Sequence, residues 1–164
     1  MYQDYKDLLS AFHAHGVRYL IVGGVAVIFH AQPRFTKDLD LFIEADPANA
    51  KATYAALAKF GALLQGIRPE DFEDRSSFFR FGRDPRGFDI LPNVPGVDFG
   101  AAWERRVEAV IDEATGLKAY FISADDLIAS KLAAGRPRDL ADVDEIEKAR
   151  ESQRPVDRPE NSPK

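Results

Sequence analysis

The sequence predicts a single-domain α/β protein, and three observations carry that reading. Short β-branched and aromatic runs alternate along the chain with segments patterned as helices. The length, 164 residues, is that of one domain. Hydrophobic residues make up 45% of the chain and charged residues 30%, a balance that supports a proper core.

Residues 3–15 place Tyr5, Leu8, Leu9 and Phe12 at the spacing of a one-faced helix, which Gly16 would end. VRYLIV, residues 17–22, reads as a buried strand, and Gly23-Gly24 follows it. VAVIFHA then reads as a buried helix that ends near Pro33. DLDLFIE, residues 38–44, is the second strand. Asp46 is placed to cap a helix whose first position suits Pro47; that helix spans 48–60 and stops at Gly61.

SSFFRFG (76–82) and GFDIL (87–91) read as two strands joined by a turn at RDPRG. A short helix is expected over 99–105. VEAVID (107–112) and LKAYFI (117–122) form a hairpin across Ala114-Thr115-Gly116. Ser123 and Asp126 make an S-x-x-D capping box for a helix that ends at Gly135, and a last helix runs over about 139–150. The domain is thus 1–150, and the Pro-containing segment 151–164 is expected to be a disordered tail.

Composition excludes several classes of function. The net charge of -5 argues against a protein held to nucleic acid by a large basic surface, though it leaves room for a local basic groove. With no cysteine there is no disulfide framework, thiol nucleophile or zinc–thiolate site. His13, His15 and His30 are too scattered for a zinc site; His13 and His15 read as surface residues and His30 as a packed one. No signal peptide or membrane-spanning run is present, so the expected location is the cytoplasm.

The chemistry gathers in RFTKDLDLFIE. Alternate residues of a strand share a face, so Asp38 and Asp40 point one way while Leu39, Leu41 and Ile43 point into a core. The two aspartates lie ~7 Å apart along the strand, a gap that a divalent cation can bridge through its oxygen ligands. Buried carboxylates side by side are costly without such a cation. Asp89, also set in an apolar strand, is the candidate third acid. Three such aspartates on adjacent strands can hold two Mg2+ ions, one to orient a triphosphate and one to activate a hydroxyl with a carboxylate as base. Gly23 and Gly24, the latter fourteen residues before Asp38, sit where a strand meets a helix and can offer backbone N–H groups to phosphate.

YLIVGGVAVIFH followed by RFTKDLDLFIE resembles the core signature of the DNA polymerase β-like nucleotidyltransferase superfamily. Within it the chain resembles small prokaryotic AbiEii-type toxins and minimal nucleotidyltransferases, whose later basic–acidic motif is similar to DLIASKLAAGRPRDLADVDEI. The resemblance covers about residues 15–148 and implies a mixed β-sheet flanked by helices. It also implies Mg2+-dependent transfer of an NMP from an NTP to a hydroxyl, with Asp38, Asp40 and Asp89 matching the metal-binding and catalytic acids. Gly23 and Gly24 match its phosphate loop, Lys131 a lysine that contacts nucleotide phosphate, and Asp139 an acid of its last motif. Many members carry Ser after the first Gly; here that position is Gly24, so only backbone can serve. A partner antitoxin protein is a further expectation that follows from the toxin-like kinship alone.

Arg34 is a candidate phosphate contact, since a guanidinium can grip bidentately, and Thr36 a candidate for ordering the loop or touching nucleotide. Plain structural uses stand beside these roles. Asp38, Asp40 and Asp89 could line the wet face of a sheet, Arg34 could be a surface arginine, and Lys131 could cover the core with its stem. Arg136, Arg138, Asp139 and Asp142 could form a solvated ion-pair network. The acceptor, whether a tRNA end, a protein or a small molecule, is not legible. The alternative function is a non-catalytic, antitoxin-like interaction protein that keeps the fold.

Overall fold

The computed structural model describes residues 1–33, 36 and 38–154. The element order is α1 (Gln3–Ala14), β1 (Tyr19–Val22), α2 (Gly23–His30), β2 (Leu39–Ile43), α3 (Pro47–Phe60), a 3-10 turn (Pro69–Glu73), β3 (Phe79–Phe81) and β4 (Phe88–Leu91). There follow α4 (Phe99–Glu104), β5 (Val107–Asp112), β6 (Leu117–Phe121), α5 (Ala124–Ala134) and α6 (Pro137–Gln153). The strands form one six-stranded mixed sheet in the order β3-β4-β2-β1-β6-β5, flanked by helices as expected.

Local chemistry explains most of the boundaries. The Asp46 carboxylate accepts the Asn49 N–H at 2.7 Å and Pro47 opens α3, so the cap and first position are as predicted. Gly61 closes the helix in the left-handed conformation, φ 97°. Ser123 caps α5 by accepting the Asp126 N–H at 3.1 Å. The Asp126 carboxylate does not close the predicted reciprocal box. It accepts from the Ser123 hydroxyl and, at 2.8 and 3.0 Å, from the Arg105 guanidinium. That guanidinium holds the Asp126 carboxyl below the usual carboxylate range. The last helix runs from Pro137 to Gln153, longer at both ends than expected, because Pro137 is itself an acceptable first residue. The expected tail from 155 onward lies outside the described residues.

The core forms where the sheet meets its helices. Leu39, Leu41 and Ile43 are fully buried, as the alternation of β2 requires, and pack with Tyr19, Leu20 and Ile21 of β1. Helix α1 presents Leu8, Leu9 and Phe12 to this core and packs on α3. Helix α2 packs on β1, β2, α5 and α6, which fixes where its N-terminus points. The 3-10 turn, in a stretch with no predicted element, inserts Phe72 fully into the core. His13 is half-buried rather than on the surface. Its ring meets the Tyr19 hydroxyl at 2.7 Å and stacks on Tyr120, because β1 and β6 lie beneath α1. No helix among the described residues is long and apolar enough to cross a membrane.

Candidate active site

The register of the sheet builds one acidic row. Strands β1 and β2 run antiparallel with Val22 opposite Asp40. Strands β2 and β4 run parallel with Asp40 opposite Asp89. Strand β3 returns antiparallel with Arg80 opposite Asp89. Directly opposed residues put their side chains on the same face, so Asp40, Asp89 and Arg80 stand side by side, with Asp38 two residues before Asp40. Asp38, Asp40 and Asp89 therefore do come together, across strands far apart in sequence.

Helix α2 begins at this row. Gly23 has φ 64°, and a Cβ there would collide with the Asp40 carboxylate. The first glycine of the pair is therefore needed for close packing on Asp40, a reason distinct from the expected phosphate approach. The first N–H groups of α2 have no intrahelical partner by geometry, and Gly23 and Gly24 both line the same cavity as the acids.

That cavity, of about 470 Å3, brings together Gly23, Gly24, Asp38, Asp40, Asp89 and Lys131. Thr36, Arg80, Arg136, Arg138 and Asp139 also line it. Of the predicted site residues, Arg34 lies outside the described ones. Lys131 is a buried residue of α5, not an exposed lysine. Its Nζ lies 3.0 Å from Asp142 Oδ2 and 3.4 Å from Asp139 Oδ1. Asp139 also accepts from Arg136 Nε at 2.7 Å, and this bond is the main cause holding its carboxyl below the usual range. Asp139 and Asp142 are thus buried members of a cluster around Lys131, not a solvated network.

The acids are electrostatically tense. Burial, and then the charge of Asp89 and of Asp38, push Asp40 up to about 7, while Lys131 pulls it down. Asp38 Oδ1 is buried with no hydrogen-bond partner among the described residues. Tyr5 lies beside the acids, lining with Thr36 and Asp38 a neighbouring cavity. Its hydroxyl donates to Gly87 O at 2.7 Å, and burial and the nearby Asp38 charge push it up to about 12.

Arg80 was missed in the sequence reading. Its Nη2 donates to Asp38 Oδ2 at 2.9 Å and its Nε to Asp89 Oδ1 at 3.0 Å. The available signal was the F-R-F alternation of residues 79–81 beside the F-D-I of 88–90, which turns an arginine to the face that carries an aspartate.

Among the described residues, no group of three histidine, aspartate or glutamate side chains is arranged to hold a metal ion as it stands. The donor set still fits a hard divalent cation in chemistry. Three carboxylates supply oxygen ligands, Asp38 Oδ1 lacks a partner among the described residues, and burial and the neighbouring acids raise Asp40. The guanidinium of Arg80 spans two of the three acids.

The family model described as "Nucleotidyltransferase of unknown function (DUF6036)" matches residues 3–151. The chain belongs to this family. No curated protein sequence matches it. Among solved structures, the fold is similar to the lincosamide antibiotic adenylyltransferase LnuA in its lincomycin-bound form. The TM-score is 0.56 at 15% identity, over 91% of this chain and 98% of that one. The expected mixed sheet flanked by helices is thus observed, with a fold similar to that of LnuA, in a member of this nucleotidyltransferase family.

Proposed function

We propose that this nucleotidyltransferase moves an NMP from an NTP to a hydroxyl acceptor, with divalent cations, Mg2+ above all, held by Asp38, Asp40 and Asp89. The observation that carries the reading is the convergence of three aspartates, the start of α2 and Lys131 on one cavity. Bound cations supply charge neutralisation for the triphosphate and lower the pKa of an attacking hydroxyl. The chain supplies the rest. The N–H groups at Gly23 and Gly24, with the positive end of α2, bind phosphate oxygens. Lys131, fixed by Asp139 and Asp142, adds a positive charge at the cavity wall. Catalysis of this kind is mostly positioning and electrostatics.

The acceptor class stays broad. LnuA, of nearly the same span, is an adenylyltransferase for a small antibiotic, which supports placing small hydroxyl compounds first in an acceptor screen. The resemblance of the motifs to those of AbiEii-type toxins supports adding tRNA and protein acceptors, and a pull-down for an antitoxin partner.

The test is calorimetric titration of each NTP, with and without Mg2+, into the wild type and an Asp38→Ala, Asp40→Ala double variant. Mg2+-dependent binding that the double variant loses supports the reading. Equal binding by both proteins overturns the metal assignment. If a folded wild type binds no NTP, the non-catalytic reading takes its place.

A further inference from the structure

Two of the three acids of the site already hold a cation, and it is part of the chain. The Arg80 guanidinium donates from Nη2 to Asp38 Oδ2 (2.9 Å) and to Asp89 Oδ2 (3.2 Å), and from Nε to Asp89 Oδ1 (3.0 Å). Charge-assisted bonds of this kind are the strong ones, and the fork fits two carboxylates at once. They use oxygens that a divalent cation would need.

Arg80 is placed to let go. It sits on the three-residue edge strand β3, with 56% of its side chain exposed. It lines the acidic cavity and also an adjoining cleft of about 540 Å3. That cleft carries Arg83 and Arg86, the latter paired with Asp4 at 3.6 Å, and is walled by Phe60, Leu63 and Phe88. A long side chain on an exposed edge strand can change rotamer without moving the backbone.

We propose that Arg80 is a displaceable counter-ion of the metal site. Without a divalent cation it neutralises Asp38 and Asp89. When a cation takes those oxygens, Arg80 turns into the cleft beside Arg83 and Arg86, and makes it a seat for an anionic group. Arg80 is a positioning residue in this scheme: it sets the charge balance of the acids and couples metal occupancy to anion binding next door. The inference rests on the metal reading given above.

The test compares wild type, Arg80→Gln and Arg80→Lys. Mn2+ binding, followed by EPR of the free ion, is expected to be about ten-fold tighter in Arg80→Gln, because a competitor for the carboxylates is gone. Arg80→Lys, which keeps the charge but not the fork, falls between. Metal-free Arg80→Gln melts below the wild type, and added Mg2+ narrows the gap. A merely structural role predicts weaker metal binding on removal, so equal or weaker binding by Arg80→Gln overturns the proposal. No Mn2+ binding by any of the three overturns the metal reading, and the displacement with it. In a second arm, sulfate is titrated by NMR into wild type. The amides of Gly82, Arg83 and Arg86 should shift more strongly with Mg2+ present; equal shifts with and without Mg2+ overturn the turn into the cleft.

Discussion

Gly23 and Asp40 stand so close that a methyl group on Gly23 would fall on the Asp40 carboxylate. Gly23 also holds φ 64°, a conformation that a side chain disfavours. The glycine at the start of α2 and the aspartate of β2 thus form one steric unit. Gly23→Ala must displace Asp40 or the first turn of α2. The expected result is loss of Mg2+-dependent NTP binding, with a fall in stability of about 1–3 kcal/mol from strain. Gly24→Ala, at a position with no positive φ, is expected to do less to stability. Denaturant unfolding and NTP titration of the two variants check this. Equal effects would mean that the closeness of Gly23 to Asp40 does not matter.

Asp40 makes the metal-free protein less stable as pH rises. Burial and the neighbouring acids raise its folded pKa from the ordinary 3.8 to about 7, so between those values the folded state binds more protons than the unfolded chain. Stability from this group is present below pH ~4 and is lost as pH climbs through 7. Asp40→Asn removes that loss. In the absence of metal it should melt higher than the wild type at pH 8, with the difference shrinking toward pH 5. Mg2+ should raise the wild-type melting temperature at pH 8 and leave the variant nearly unchanged. Melting curves at several pH values decide the matter; a variant that is less stable at pH 8 would contradict it.

What was legible in the sequence was local. The period-two alternation of 38–44 gave both the core face and the acidic face of β2. Asp46, Pro47 and Gly61 gave the ends of α3, because caps and first-turn residues act within one turn. The pairing of Asp40 with Asp89 is a parallel contact across α3 and a returning strand, so the sequence offered Asp89 only as a candidate. Arg80 escaped because an arginine between two phenylalanines reads equally well as the wet side of a strand. Asp126 shows the opposite failure. Ser123 caps the helix as the S-x-x-D pattern predicts, but the reciprocal half of the box is not formed: a guanidinium from the end of α4, distant in sequence, claimed the Asp126 carboxylate. The burial of Lys131, Asp139 and Asp142 depends on α5 packing against α6, which no local pattern records.

A polar residue away from the site separates folding from function. Asn49 is buried near the start of α3 and ties three segments together. Its carbonyl accepts the Arg18 N–H at 2.8 Å, and its amide donates to Arg18 O at 3.0 Å and to Glu44 O at 2.8 Å. Asn49→Ala leaves these backbone groups without their partner and should cost about 2–3 kcal/mol. Asn49 does not line the acidic cavity, so NTP affinity at a temperature where the variant is folded should match the wild type. Denaturant midpoints and calorimetry test the two halves of this statement; a variant of wild-type stability would contradict the first.

Lys131 is the position where structure and chemistry are hardest to separate. Its ammonium sits between Asp142 and Asp139, so it holds α5 to α6, and it also lines the cavity with the acids. Lys131→Met should weaken NTP binding about ten-fold, the scale of one charge-assisted phosphate contact. It should also destabilise the fold, because Asp142 is left buried beside an apolar chain. Combining Lys131→Met with Asp142→Asn removes both charges of that pair. The double variant should regain part of the stability and none of the NTP affinity. Titration of Mg2+–NTP into both variants, alongside their melting temperatures, reads the two quantities independently. If NTP affinity recovers together with stability, Lys131 acts through packing; if it stays low while the fold recovers, the ammonium itself meets the phosphates.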